Sequence, residues 1–535
     1  MNGLLLTLAW STPFLMLPLV ASRFARVLIA LAALPALLAS VLVPVGTTFD
    51  LPWLLLGLGL RMDELGATYL LFSAVLWLFA GIYAVLSGAA GAHPGRFSLF
   101  FLLAAGGNFL LILAADIIAF YIGFAVMGLS ATGLIAHRRS QHARRAARVY
   151  LAWTLVGEMA LFAAVVMLAQ GMDSVRFFDL QSATIPATAA GLLLLGFGIK
   201  LALPGLHFWL PLAYPAAPAV ATALLSGPMI SAGLLGWLRF LPPGGETLMA
   251  WGEGLLLVGI VGTALGVLAG LLQRDPRAVL AYSSIAKMGL VATAFGIALA
   301  RPHAAPGIIA ALTVFTMHHL ILKGTLFLGI GEWQRNGARP WLIGILTILA
   351  LAMAGLPFTS GAGAKSLLTG ALNDAGIDLA LLLGFSALGT LFLMARFLWL
   401  IARRQATATG GFDHASMVWS ALAALAIVLP LVATAVPWSA SGLGTVAAGI
   451  AIVALVMLLR RRTSADLPDV PPGDLLYLGH MARRLRSGRI AIQDLMRSPL
   501  WLIRRADSTQ TVRTAMVTIW LFLSVLVVSF GLMPG

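Results

Sequence analysis

Residues 196–218 read GFGIKLALPGLHFWLPLAYPAAP. Lys200 sits in an apolar run, Pro204 follows four residues on, and then come His207, Trp209 and Pro211. Helices that cross membranes avoid charge and tolerate proline only where neighbours re-satisfy the freed backbone groups. A lysine beside a helix break, deep in an apolar chain, is therefore a functional candidate. The plainer reading is a structural kink with a snorkelling lysine.

Working outward, the 535 residues are 60% hydrophobic and only 10% charged. That is too apolar for a soluble core inside a wet surface. Many windows of ~20 apolar residues are long enough to span a bilayer. The expected fold class is all-α, a polytopic membrane protein. There is no cysteine, which excludes disulfides, thiolate metal sites and iron–sulfur ligation in this chain. The nine histidines fall in no HExxH or similar ligand spacing, so no metal or cofactor is expected. The net charge of +15 is assigned to cytoplasmic loops rather than to nucleic acid. No Lys or Arg precedes the first apolar run. It lacks the positive start of a secretory signal and reads as a retained first helix.

Of the 34 basic residues, 30 are arginine; the four lysines are Lys200, Lys287, Lys323 and Lys365, all inside predicted helices. Arginine stays protonated in proteins, whereas a buried lysine can lose its proton. An arginine-biased genome explains the loops, but not lysine kept only for the membrane interior. A proton-handling role does.

Hydropathy predicts sixteen helices, near 3–21, 26–46, 66–89, 97–115, 117–136, 150–169, 185–214 with a break, 216–241, 248–272, 278–299, 305–331, 341–373 with a break, 377–402, 415–437, 441–460 and 515–533. Residues 49–64 are too short and mixed to span and read as an external hairpin or cap. Loops after odd-numbered helices hold 25 arginines, and those after even-numbered helices hold four, Arg61, Arg176, Arg239 and Arg301. One miscounted helix would scramble that separation. The positive-inside rule then places both termini on the outer side of a bacterial-type inner membrane. Residues 475–505 interleave apolar residues with arginines and read as an amphipathic segment on the cytoplasmic surface, able to bind anionic lipid or to brace neighbouring helices.

Two predicted helices are broken alike, at Pro204 and, around Pro357, in the run AGLPFTSGAGAK at 354–365. Paired interrupted helices in matching places point to internal repeats. The five-helix blocks four to eight and nine to thirteen start on opposite sides, so the repeats would be inverted. The expected organisation is N-terminal helices and hairpin at 1–96, repeats at 97–241 and 246–402, two helices at 403–460, the basic segment at 461–514 and an anchor helix at 515–535.

Among candidate site residues, Glu158 lies mid-helix in VYLAWTLVGEMALF and is the one carboxylate placed well inside a span. A carboxylate–lysine pair with Lys200 can switch between ionised and neutral states, as a proton relay needs; the alternative is a static ion pair. His319 and Lys323, four apart beside His318, share a helix face, and histidine can pass protons between lysines. Lys287, near the start of its helix, admits either an inlet role or snorkelling. Lys365, after the second break, is the expected far-side partner of Lys200. Arg396 is expected to pair with an ion or a backbone carbonyl.

The pattern Lys200-x3-Pro204-x2-His207-x-Trp209-Leu210-Pro211, DPRAVLAYSSIAKMG at 275–289, His319-x3-Lys323 with LFLG, and GLPFTSGAGAK at 355–365 resembles the antiporter-like membrane subunits of respiratory complex I, multisubunit cation/proton antiporters and membrane-bound hydrogenases. YPAAPAVATALLSG at 214–227 looks nearest to the large membrane subunit of hydrogenase-4 and formate hydrogenlyase. The resemblance implies inverted repeats, two half-channels, a horizontal C-terminal element, further membrane subunits and a soluble partner. It implies proton translocation, or sodium, driven by a reaction in partner chains, with no redox chemistry here. The other classes considered are a membrane subunit for inorganic-carbon or other small-solute uptake, and a non-pumping scaffold. The sequence also departs from the family. Where relatives carry a glutamate in helix five, this chain has Ala125, and where they carry a lysine or histidine in helix eight the candidates are Ser226 and Ser231. Glu158, one helix on, is the expected replacement for the missing acid; otherwise the first half-channel has degenerated.

Overall fold

The computed structural model describes residues 1–433 apart from 23, 55, 56, 173, 182 and 404–409. The predicted helices at 441–460 and 515–533 and the basic segment at 461–514, with its expected lipid contact, lie outside the described residues.

The chain opens with α1 (Asn2–Leu15) and a 3₁₀ turn (Leu17–Ala21), then α2 (Ala25–Leu31) and α3 (Leu34–Leu42). One helix was expected over 26–46. It is interrupted before Pro35, whose missing N–H fits only a first turn. The expected hairpin is present as β1 (Thr48–Leu51) antiparallel to β2 (Leu58–Arg61), with Thr48 opposite Arg61.

Four helices follow: α4 (Glu64–Leu86), α5 (Pro94–Leu113), α6 (Ile117–Ile135) and α7 (Gln141–Gln170). Side-chain caps fix three of their starts by satisfying orphan amides. Asp63 accepts from Gly66 N at 2.7 Å, Asp116 from Ala119 N at 2.7 Å, and Ser140 from Ala143 N at 3.0 Å. Asp116 also accepts from Gly59 N at 3.0 Å, which ties the hairpin to α6.

A short α8 (Phe177–Leu180) leads to α9 (Ala187–Lys200) and, past the first break, α10 (Trp209–Ala216). Next, α11 (Ala219–Leu224) passes through a π turn (Leu225–Met229) holding Pro228 into α12 (Ile230–Phe240). The wider turn accommodates a residue that cannot donate to the helical ladder. The remainder is α13 (Glu246–Leu271), α14 (Pro276–Ala300), α15 (Ala305–Asn336), α16 (Pro340–Ala354), α17 (Ser360–Asp374), α18 (Ala380–Arg403) and α19 (His414–Ala433). Among the described residues, eleven helical stretches are long and apolar enough to cross a membrane, and Val27–Leu42, Ala187–Lys200 and Pro340–Ala354 are shorter apolar helices.

Every residue of α14 is buried, and it forms the centre of the bundle. Glycines along α13 let the two backbones approach: a Cβ on Gly266 would meet the Tyr282 carbonyl at 2.7 Å. Small residues at such a seam allow close van der Waals contact where lipid offers no hydrophobic drive for helices to associate.

Both breaks are built alike. The first carries left-handed Ala202 (φ 56°) and Gly205 (φ 80°), and the second Gly355 (φ 89°) and Phe358 (φ 62°). A left-handed non-glycine residue costs roughly 1–2 kcal/mol, so each break is held by its surroundings. At the first, Trp209 Nε1 donates to the Ile199 carbonyl at 2.8 Å, satisfying an acceptor near the end of α9. Arg396 donates to the Gln273 carbonyl at 3.1 and 3.2 Å, the backbone-carbonyl partnership expected of it.

Arg239 of α12 forms a two-pronged pair with Asp63, one arm at 2.9 Å. Burial alone would raise the Asp63 pKa. The Arg239 guanidinium and the Gly66 amide outweigh it and hold the carboxyl below its ordinary value. The pair therefore contributes fully above the ordinary carboxylate range and is lost as pH falls through the lowered value. Asp63→Asn is expected to lower the melting temperature in detergent at pH 7, with the gap to the parent chain closing below about pH 4; a gap independent of pH would refute this.

Candidate functional site

The four lysines occupy two buried regions, each next to a helix break. In the first, Lys200 is the last residue of α9 and only 5% exposed. The C-terminal end of a helix carries partial negative charge that favours an ammonium. Lys200 Nζ donates to Tyr150 Oη at 3.0 Å, and that hydroxyl donates to the Gly128 carbonyl at 3.0 Å. The ammonium also lies 5.4 Å from the ring centres of Phe124 and Tyr150. Glu158 of α7 is buried, and its Oε2 has no hydrogen-bond partner among the described residues.

Gly128 separates the two charges. A Cβ there would lie 3.1 Å from Glu158 Oε1 and 3.3 Å from Lys200 Nζ. Both side chains thus reach the same side of Gly128, without a direct ion pair between them among the described residues. Ala125 is half-buried on α6, one turn before Gly128 and on the same side of the helix. His207 is fully buried inside the break, its ring 4.7 Å from that of Phe208 and 6.4 Å from that of Tyr282 on α14.

The second region surrounds a cavity of about 20 Å³, lined by Lys287, Phe315, His318, His319, Gly361 and Lys365 among others. That volume admits about one water molecule. Lys287 is mid-helix and 7% exposed, 5.6 Å over the Phe315 ring; this interior position rules out snorkelling. Lys365 shares this cavity with Lys287, in the region of the second break. The reason is the fold: α17 packs on α15, which carries the histidines. His318 Nδ1 lies 2.9 Å from Ser360 Oγ. Both ring nitrogens of His319 lack a hydrogen-bond partner among the described residues. Lys323, one turn along α15, donates to the Leu280 carbonyl of α14 at 2.7 Å and does not line the cavity. Ser226 and Ser231, at the place of the family's helix-eight base, turn back onto carbonyls of their own helical stretch.

Sequence reasoning missed three groups. Tyr150 stands eight residues before Glu158, two turns along the same helix, which was a usable signal. Ser360 meets His318 only through the second break, which no local pattern announces. Glu332 fell just past the predicted end of its helix, yet α15 runs on to Asn336 and buries it completely. It accepts from Tyr83 at 2.9 Å, Arg335 at 2.7 Å, Asn336 at 2.8 Å and Ser416 at 2.5 Å, joining α4, α15 and α19. A carboxylate so fully satisfied holds helices together. Glu332→Ala is expected to cost roughly 3 kcal/mol or more by stranding its donors, read as a lowered melting temperature, with Glu332→Gln losing less.

A membrane bundle with lysines in its interior beside two broken helices is the architecture expected of an antiporter-like membrane subunit. Residues 114–392 match the family described as NADH:quinone oxidoreductase/Mrp antiporter, TM. The chain belongs to this family. It is 28% identical over 345 residues to hydrogenase-4 component B of Escherichia coli K12, covering 58% of this chain and 51% of that protein; it thus spans about half the length of that relative. Its fold resembles a chain of the Mrp complex of Dietzia sp. DQ12-45-1b (TM-score 0.73, 22% identity, 94% of this chain and 61% of the other). It likewise resembles a chain of respiratory complex I from Thermus thermophilus (TM-score 0.69, 24% identity, 85% and 100%).

Proposed function

We propose that this chain is a proton-translocating subunit of a multisubunit membrane complex, the driving reaction residing in partner chains. The observation that carries the reading is the pair of lysine-bearing sites, Lys200 near Glu158 and Lys287 with Lys365, each set beside a strained helix break. Glu158 and Lys200 form the first exchange point, with Glu158 in place of the family acid missing at Ala125. His207 and Tyr282, then Lys323, continue the line towards His318, His319, Lys287 and Lys365. Beyond Lys365, an open groove of about 620 Å³ between α15 and α17, with His303 and Asp374 on its lining, offers the way out to one face. The two broken-helix blocks act as inverted repeats, and the arginine-rich loops face the cytoplasm with both termini outside.

No redox step is assigned to the chain; partners of the hydrogenase, complex I or cation-antiporter type supply the energy. The deciding experiment is affinity purification of the tagged full chain from its native membrane. Further membrane subunits together with redox proteins or small antiporter subunits are the expected companions. Isolation as a lone chain that still moves protons would overturn the assembly, and a zinc protein as sole companion would favour carbon uptake instead.

A further inference from the structure

We infer that the cleft between α6 and α7, at their arginine-bearing ends, binds an anionic phospholipid. The cleft holds about 720 Å³ and is lined by Thr132 of α6, by Ala136 just past its end, and by Arg144, Ala147, Arg148 and Leu151 of α7. Neither Arg144 nor Arg148 pairs with a carboxylate among the described residues, and residues 136–151 contain no Asp or Glu. Thr132 Oγ1 is buried beside the cleft, with no hydrogen-bond partner among the described residues. Two exposed guanidiniums suit a phosphate, because guanidinium forks match its oxygens.

The second observation comes from the rest of α7. Below the arginines, the same face continues through Leu151, Leu155, Met159, Phe162 and Val166, in steps of three and four residues. Leu155 is 47% exposed, Met159 64% and Phe162 48%, and Leu129, one turn before Thr132 on α6, is 41% exposed. From Arg148 to Met159 the rise is about 16 Å, close to half of the ~30 Å hydrocarbon core. A charged head site above an apolar stripe one leaflet deep matches a phospholipid. An acidic peptide would have no use for the stripe. A zwitterionic head would find no carboxylate for its ammonium. Seated there, the acyl chains cover the face of α7 behind which Glu158 is buried.

The test uses the purified full chain in neutral detergent, with native mass spectrometry after titration with phosphatidylglycerol or phosphatidylcholine of matched chains. The parent chain is expected to prefer phosphatidylglycerol. Arg144→Gln/Arg148→Gln is expected to weaken that binding about tenfold. The charge-matched Arg139→Gln/Arg145→Gln, outside the cleft, is expected to retain it. Equal loss in both double variants would reduce the effect to diffuse charge and overturn the site. So would equal binding of the two lipids, or displacement by glycerol phosphate alone, which would indicate a phosphate site without a lipid. A neighbouring subunit filling the cleft of the purified complex, with no lipid retained, would also overturn it.

Discussion

His319→Leu is expected to reduce coupled proton translocation by about a hundredfold while leaving the melting temperature of the subunit nearly unchanged. Both ring nitrogens of His319 lack hydrogen-bond partners among the described residues, and the ring is buried against the cavity that Lys287 and Lys365 share. Replacing such a ring with an apolar side chain of similar bulk strands no donor or acceptor. The fold therefore loses little, whereas removal of a positioned proton carrier typically costs 10²–10⁴ in rate. The measurement is dye-reported acidification of inverted vesicles carrying the intact complex, beside a thermal melt of the purified chain. A variant that pumps normally removes His319 from the path. A variant that melts much earlier assigns it a structural role instead.

Glu158→Gln is expected to produce a loss of the same order in the first cluster. The amide keeps the shape but holds no exchangeable charge, and Gly128 leaves Glu158 Oε1 and Lys200 Nζ facing the same small space. Gly128→Ala is expected to act in the same direction more weakly, by placing a methyl group between the two charges. The discriminating readout is proton uptake at fixed turnover of the driving reaction. If Glu158→Gln leaves uptake intact, the acid missing at Ala125 has no substitute on α7. Translocation would then run through the second cluster alone, and Lys365→Ala would abolish what remains.

These two expectations draw differently on the sequence. Lysine confined to predicted helices marked Lys200, Lys287, Lys323 and Lys365 as a set, since a charge is costly in hydrocarbon and is kept there for a reason. Pro204 and the glycine-rich run at 354–365 marked the breaks, because proline and glycine act locally on the backbone. Helix positions were legible for the same reason: backbone polar groups in lipid must be satisfied within the segment, so apolar length translates into span. The break at Pro35 and the π turn at Pro228 were less legible, since each reconciles a proline with its helix in a way that depends on neighbours.

The sequence by itself thus determined the class of fold, the helix breaks and the identity of the charged residues inside the bundle. Only the tertiary structure decided how those residues are grouped. Lys365 belongs with Lys287 and the two histidines because α17 packs on α15. Lys200 belongs with Tyr150 and Glu158 because α9 lies along α7. Glu332 proves to be a satisfied clamp because α4 and α19 bring donors from residues 249 and 84 positions away. Periodicity and hydropathy are set by each segment's own residues. Partnerships across helices are set by which faces meet, and that depends on the whole bundle at once.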